Sequence, residues 1–423
     1  MTSTEDPAGG ARHPHALRRL SVVTLLGMSS GLPLALADST LQAWLTVRGI
    51  DVATIGALSL VGLPYVFKFL WAPLLDHVAP VAGLDRRRGW IAVAQVVLAL
   101  LLVALALHDP AADLPVMAFL VLGIAFVSAT QDTVIDAYRS EVLPPRERGL
   151  GAGLAVAGYR IAMIVSGAGA LLAAHRLGFN TVYAGMAGLM ALGITATLAG
   201  PRPVVGSTHR PGLWGSVVLP LREFLAREAA IPLLVLVALY KLGDALAARL
   251  TMTFLIRELG FTLVEIGAVY KALGIGASIV GGIAGGALMM KLGLRRSLWL
   301  FAILQAVTNL GFFGLALHGK TMAGMIVVVA LENLAAGMGT SALVALVTGL
   351  CDPRFTATQF ALLTAVASLA RVLSGPIAGG LAALLGWPRF FLCAVVLALP
   401  AMGLLVLLKP RLTALEAADA AAR

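Results

Sequence analysis

Charge is what this chain has least of. Asp, Glu, Lys and Arg together make up only 12% of its 423 residues, against 59% hydrophobic ones, too little polar surface to cover a water-soluble globule of that length. Cysteine is almost missing as well. Cys351 and Cys393 have neither the spacing of a metal site nor that of a disulfide framework, and both read as ordinary helix packers. The seven histidines fall in tails and short connections, and no Gly-x-Ser-x-Gly turn or Walker loop occurs. Hydrolase, nucleotidase and metalloenzyme chemistry therefore lack residues to carry them. The expectation is no enzyme, no cofactor, no metal and, without a nucleotide-binding domain, transport driven by a gradient.

What the chain has instead is long apolar runs. Windows bounded by Pro, Gly and charge predict six spans at 19–39, 52–75, 90–107, 114–137, 149–174 and 179–199, and six more at 231–256, 264–290, 296–316, 321–348, 357–384 and 387–408, each near the roughly 20 residues that cross a bilayer. The first run imitates a signal peptide, with Arg18 and Arg19 before it and Ala35-Leu36-Ala37 at its end. It is of full spanning length and is followed by more membrane, so it is expected to stay. Residues 1–18 and 409–423 are expected as tails, 19–199 and 231–408 as two six-helix bundles, and 200–230, with Pro201, Pro203 and Pro211, as the polar linker between them.

The net charge of +10 invites a nucleic-acid reading, but the cations are not arranged as a basic face interleaved with aromatics. With Arg19, Arg296 and Arg389, which open their spans, counted in the adjoining tail or connection, 20 of the 31 Lys and Arg residues lie in the termini and even-numbered connections, 5 in the odd-numbered ones and 6 inside spans. Positive charge collects on the cytoplasmic side, so both termini are expected in the cytoplasm. Six spans, a basic linker and six spans describe the major-facilitator architecture, an all-α membrane fold of two pseudo-symmetric bundles that rock about a central cavity. The halves echo each other: Arg160 precedes Ser166-Gly167, and Arg371 precedes Ser374-Gly375. The run from Gly286 through Lys291, Gly293, Arg295 and Arg296 is close to the superfamily's Gly-x-x-x-Asp-Arg-x-Gly-Arg-Lys pattern, with Met290 in the place of the acid; the first half keeps Asp76 but lengthens the loop before Arg86-Arg87-Arg88.

Ionisable groups inside spans cost about 2.5–3.5 kcal/mol each at mid-bilayer, so they persist only where they face protein or water. Here they are Asp38, Lys68, Asp132, Asp136, Arg160, Lys241, Asp244, Arg249, Lys271, Glu332 and Arg371. At 1.5 Å per residue, Arg160, Lys241 and Glu332 each come out about 15 Å or slightly more into their spans, near the midplane, where this architecture keeps its solute. Asp132, Asp136, Asp244 and Glu332 are candidates for carrying a proton, since a carboxylate there alternates between a protonated and a salt-bridged state. A permanent ion pair is the competing reading for each, and Lys241 and Asp244, three apart, could neutralise each other. Lys68, Arg160, Lys241, Lys271 and Arg371, with Gln131 and Asn333, are candidates for binding a carboxylate-bearing solute. Tyr65, Tyr159, Tyr240 and Tyr270 lie near those cations and are candidates for stacking on a sugar ring, packing being the commoner use. Asp76, Arg86, Arg139, Arg148, Lys291 and Arg295 are candidates for a cytoplasmic gate.

Leu41-Gln42-Ala43-Trp44-Leu45-Thr46-Val47, the run from Ser59 through Pro64-Tyr65, Lys68 and Trp71-Ala72-Pro73 to Asp76, Arg86-Arg87-Arg88-Gly89-Trp90, Ser128-Ala129-Thr130-Gln131-Asp132, Val142-Leu143-Pro144, Glu147-Arg148-Gly149 and Gly158-Tyr159-Arg160 together resemble the AmpG muropeptide permease family. The likeness is dense in the first half and looser in the second. It implies import of N-acetylglucosaminyl-1,6-anhydro-N-acetylmuramyl peptides from periplasm to cytoplasm, driven by protons, across the bacterial inner membrane, for wall recycling and β-lactamase induction. It carries Lys68, Gln131, Asp132, Asp136 and Arg160 as site residues. Several family members have two additional spans, which are not expected here. A single chain is expected to work as a monomer. The alternatives are a carrier of acetyl-coenzyme A or another small anion on the same fold, and a membrane sensor or scaffold without transport.

Overall fold

The computed structural model describes residues 9–144, 147–203, 213–352 and 356–421, and among these it contains helices and no strands. Eleven helical stretches are long and apolar enough to cross a membrane: Ala16–Val47, Val52–Leu70, Arg86–Ala106, Pro110–Val142, Leu150–Ala199, Ala230–Arg257, Leu263–Leu292, Leu294–His318, Met322–Leu350, Gln359–Leu385 and Trp387–Leu407. Leu150–Ala199 is 50 residues long, about 75 Å if straight and more than twice a hydrocarbon core. Gly178 breaks it, at φ 77° and ψ 156°, a conformation open to glycine and strained for other residues. The stretch is therefore two spans, five and six, and the expected twelve are present.

Several spans are not uniform α-helix, and three of the departures fall at charged positions. Span two runs through a 3-10 turn at Lys68–Leu70, span eight through a π-helical stretch at Ile266–Leu273 that carries Lys271, and span seven leaves helical geometry at Lys241, φ −112° and ψ 13°. Such interruptions free backbone groups and re-aim side chains. The linker is not only a polar loop, because Leu213–Leu225 forms a helix within it.

Contacts divide the chain into two compact units, residues 1–41 with 67–209 and residues 42–66 with 210–423. The segment 42–66 joins the second unit through specific bonds. Gln42 Nε2 donates to Arg249 O at 2.5 Å, Ser59 Oγ to Val372 O at 3.0 Å and Arg257 Nε to Thr46 O at 3.0 Å.

In each unit, loops of the same parity gather at one end. In the first, Arg18 Nε donates to Ala199 O, Arg88 Nη1 to Gly200 O, and Arg19 pairs with Glu147. Asn180 ties the connections after spans three and five through Ala106 O and His108 O at the other end. In the second, Arg227 donates to Leu350 O and Arg411 pairs with Glu228, while Lys320 reaches Gly260 O from the odd-numbered side. The guanidinium of Arg19, through its hydrogen bonds, holds the Glu147 carboxyl below its ordinary value of 4.5. A depressed carboxyl contributes stability that is complete above that value and disappears as the pH falls through the lowered one. Thermal melts of Glu147→Gln and of the parent should accordingly differ at neutral pH and converge below about pH 4.

Close helix contact in the second unit rests on small residues. A Cβ at Gly281 of span eight would run into the Leu334 carbonyl of span ten, and one at Gly337 would strike Ser278 O. Bare backbone is what lets these two helices touch without a hydrophobic drive between them.

Candidate functional site

A set of charges in the second unit forms where span seven pauses. The break at Lys241 aims its ammonium at three acceptors: Asp244 Oδ2 at 3.1 Å, Ala336 O at 2.9 Å and Thr340 Oγ1 at 3.0 Å. All three N–H donors of the lysine are thereby used. The other Asp244 oxygen, Oδ1, is buried without a hydrogen-bond partner among the described residues. The Glu332 side chain of span ten, 8% exposed, lies within hydrogen-bonding reach of Asp244, and its Oε2 accepts from Asn333 Nδ2 at 2.7 Å. Lys241, Asp244 and Glu332 thus form a trio of one cation and two acids.

Beside this trio opens a cavity of about 320 Å³, lined by Lys241, Asp244, Thr340, Thr364, Ser368 and Arg371 on a wall that is otherwise Val, Leu and Ala. Arg371 is exposed, and its Nη2 comes within 3.4 Å of Ser368 Oγ. Two cations, three hydroxyls and an apolar wall can hold an anionic group on an amphipathic solute.

A second cluster occupies the first unit. Ser30 Oγ of span one donates to Asp132 Oδ1 of span four, and the Lys68 ammonium and the Asp136 carboxylate both act on Asp132 electrostatically. Gln131 is fully buried; its Nε2 donates to Ser29 O at 2.9 Å, and its Oε1 finds no donor among the described residues. Gln95 Nε2 donates to Ser29 Oγ at 3.0 Å and Thr197 Oγ1 to Gln95 Oε1 at 2.8 Å, so a polar layer crosses spans one, three, four and six. Asp136 is 59% exposed and pairs with Arg139 at 3.0 Å, one turn along the same helix. It stands at the solvent end, apart from Asp132.

The Major Facilitator Superfamily model matches residues 20–331 and 244–422. The "Anhydromuropeptide permease" of Escherichia coli (strain K12) is 48% identical over 396 residues, which cover 93% of this chain and 80% of that protein. The chain belongs to the anhydromuropeptide permease family. The protein named "Putative transporter AmpG 4" of Rickettsia felis is 33% identical over 402 residues, 93% of this chain and 97% of its own. Among solved structures, a bacterial homologue of the human lysosomal transporter Spinster superposes with a TM-score of 0.74 at 16% identity, covering 97% of this chain and 99% of that one. A POT-family transporter superposes with 0.69 at 13% identity, covering 93% and 96%. This permease is thus a multi-pass membrane transporter of the major-facilitator fold, as its sequence predicts, and not an enzyme; neither the small-anion carrier nor the scaffold reading is favoured.

The remaining candidate residues of this permease scatter more widely. Tyr240 is a correction: it is buried in the second unit's apolar core, and its hydroxyl donates to Leu298 O at 3.0 Å, so it packs rather than lining the cavity beside its neighbour Lys241. Lys271 lies over the ring of Tyr270, 5.2 Å from the centroid. Arg160 is exposed on span five and makes no ion pair or hydrogen bond among the described residues, while Tyr65 and Tyr159 are partly buried. Of the gate candidates, Arg86 is partly buried and Lys291 exposed, Arg139 is taken by Asp136, and Arg295 receives a carboxylate at its backbone N–H. The side chains of Asp76 and Arg148 lie outside the described residues. Sequence reasoning missed Ser30, Gln95 and Thr340, small polar residues without charge to mark them, and Asp85 and Glu141. Asp85 pairs with Arg88 at 2.5 Å and Glu141 with Arg87 at 2.8 Å.

Proposed function

We propose that this permease imports anhydromuropeptides, N-acetylglucosaminyl-1,6-anhydro-N-acetylmuramyl peptides, from periplasm to cytoplasm by proton symport and alternating access. It acts as a monomer in the bacterial inner membrane with both termini in the cytoplasm, and it supplies wall recycling and the induction of β-lactamase. The two six-span halves, 19–199 and 231–408, are the parts that rock.

The observation that carries the substrate is the 48% identity with a protein named for it. The cavity supports the same solute, because a sugar peptide brings a carboxylate for Lys241 and Arg371 and carbon surface for the apolar wall. Proton coupling rests on Asp132 and on the Asp244–Glu332 pair, each acid held beside a lysine. The cytoplasmic placement rests on the positive-inside count. Uptake of radiolabelled anhydromuropeptide into vesicles of known orientation, with an imposed inward pH gradient, tests the reading. The expected result is accumulation that collapses with a protonophore and is blocked by excess unlabelled muropeptide. Competition by coenzyme A but not by muropeptide would transfer the assignment to the anionic-solute carriers.

A further inference from the structure

The helix after span twelve, Lys409–Ala421, folds back on the start of span nine. Leu412 is fully buried in the core cluster that also holds Leu294, Leu298 and Leu408, which fixes the helix in place. One turn further on, Glu416 Oε1 accepts from the backbone N–H of Arg295 at 2.6 Å. The room for that carboxylate is made by Gly293: a Cβ there would come within 2.7 Å of Glu416 Oε1, and the backbone at φ 80° disfavours any side chain. Gly293 is also the residue that would cap span nine, and it has nothing to cap with.

The first half solves the same problem locally. Asp85, just before span three, accepts from Arg88 N at 3.1 Å and holds Arg88 Nε at 2.5 Å. The second half has no acid in its short turn, and Met290, which stands where the superfamily pattern has one, is 81% exposed. Arg87 in the first half finds Glu141, whereas Arg295 keeps a buried Nε without a partner among the described residues.

We infer that Glu416 is a positioning residue for transport: from 121 residues along the chain it supplies the carboxylate that the turn between spans eight and nine lacks, and so straps the start of span nine to the segment that follows span twelve. An acid at a helix N-terminus satisfies an orphan N–H and complements the helix dipole. Bound this way, span nine and the tail helix move as one piece, and the basic turn carrying Lys291, Arg295 and Arg296 keeps its shape through a transport cycle. The strap itself is independent of the solute; only its effect on uptake rests on the muropeptide reading.

Glu416→Ala and Glu416→Asp in the full chain test it, by amide hydrogen exchange over residues 293–296 and by initial uptake rates against muropeptide concentration. In Glu416→Ala, which removes the acceptor, the Arg295 amide should exchange roughly tenfold faster, the size of a lost cap, with exchange in span one unchanged. The maximal uptake rate should fall severalfold at an unaltered half-saturation concentration, and Glu416→Asp should lie between the two. Unaltered exchange at 293–296 in the Ala variant overturns the strap, and faster exchange with parental uptake kinetics overturns its part in transport. If the parent takes up no anhydromuropeptide, the substrate reading fails while the exchange result still accepts or rejects the strap.

Discussion

Lys241→Ala should weaken muropeptide uptake roughly 10- to 100-fold at low solute concentration and destabilise the second unit, and adding Asp244→Asn should return most of the stability but none of the transport. The lysine is the only cation bonded to Asp244 among the described contacts, and Glu332 is already packed against that acid. Removing one member of this partly buried pair, 24% and 11% exposed, leaves an uncompensated charge, at a cost below the about 3–5 kcal/mol of a fully buried pair. Neutralising Asp244 removes that charge, so the double variant should melt close to the parent. Uptake is a different matter, because the cavity beside the trio then has Arg371 alone to meet an anionic group. A lost charge-assisted hydrogen bond is worth about 1.5–3 kcal/mol, or roughly 10- to 100-fold in affinity. The measurements are fluorescence-detected melting in detergent and vesicle uptake for the two single variants and the double. Parental uptake in Lys241→Ala would remove the lysine from the solute site, and equal melting of the single and double variants would show that the ammonium is not balancing Asp244.

Composition and run length were enough to reveal this membrane fold, because lipid constrains a sequence more bluntly than water does: a span needs about 20 apolar residues and closes its hydrogen bonds within itself. Span boundaries, the break at Gly178 and the sorting of basic loops follow from the same rule. Ions buried in spans also declared themselves, since each is costly and conspicuous. Their partners did not. Lys241 and Asp244 are three residues apart, a spacing compatible with mutual pairing or with both facing a solute, and the two other acceptors of Lys241 come from span ten, about a hundred residues on. Tyr240 shows the same limit from the other side. Neighbours on a helix point about 100° apart, so adjacency to a cavity-lining lysine said nothing of where the phenol goes. Glu416 lies in a helix of ordinary polar composition, and only the fold brings it to a turn whose own acid is replaced by Met290. Neither periodicity nor motif reaches across that distance.

The other large effect is expected at Asp132. Asp132→Asn should remove accumulation while leaving exchange of labelled for unlabelled muropeptide across the membrane. The carboxylate accepts from Ser30 Oγ inside span four, where an acid persists only if it faces protein or water. An acid in such a place can take a proton on one side of the membrane and release it on the other; an amide cannot. One proton per solute under an inward gradient of two pH units supplies about 2.7 kcal/mol, since each unit is worth about 1.36. That sustains roughly 100-fold accumulation in the parent and about onefold in the variant. Asparagine still accepts from Ser30, so the local fold should persist, and retained exchange would certify that the carrier still cycles with solute bound. Accumulation by Asp132→Asn equal to the parent would place the coupling elsewhere, with the Asp244–Glu332 pair as the acids left to carry it.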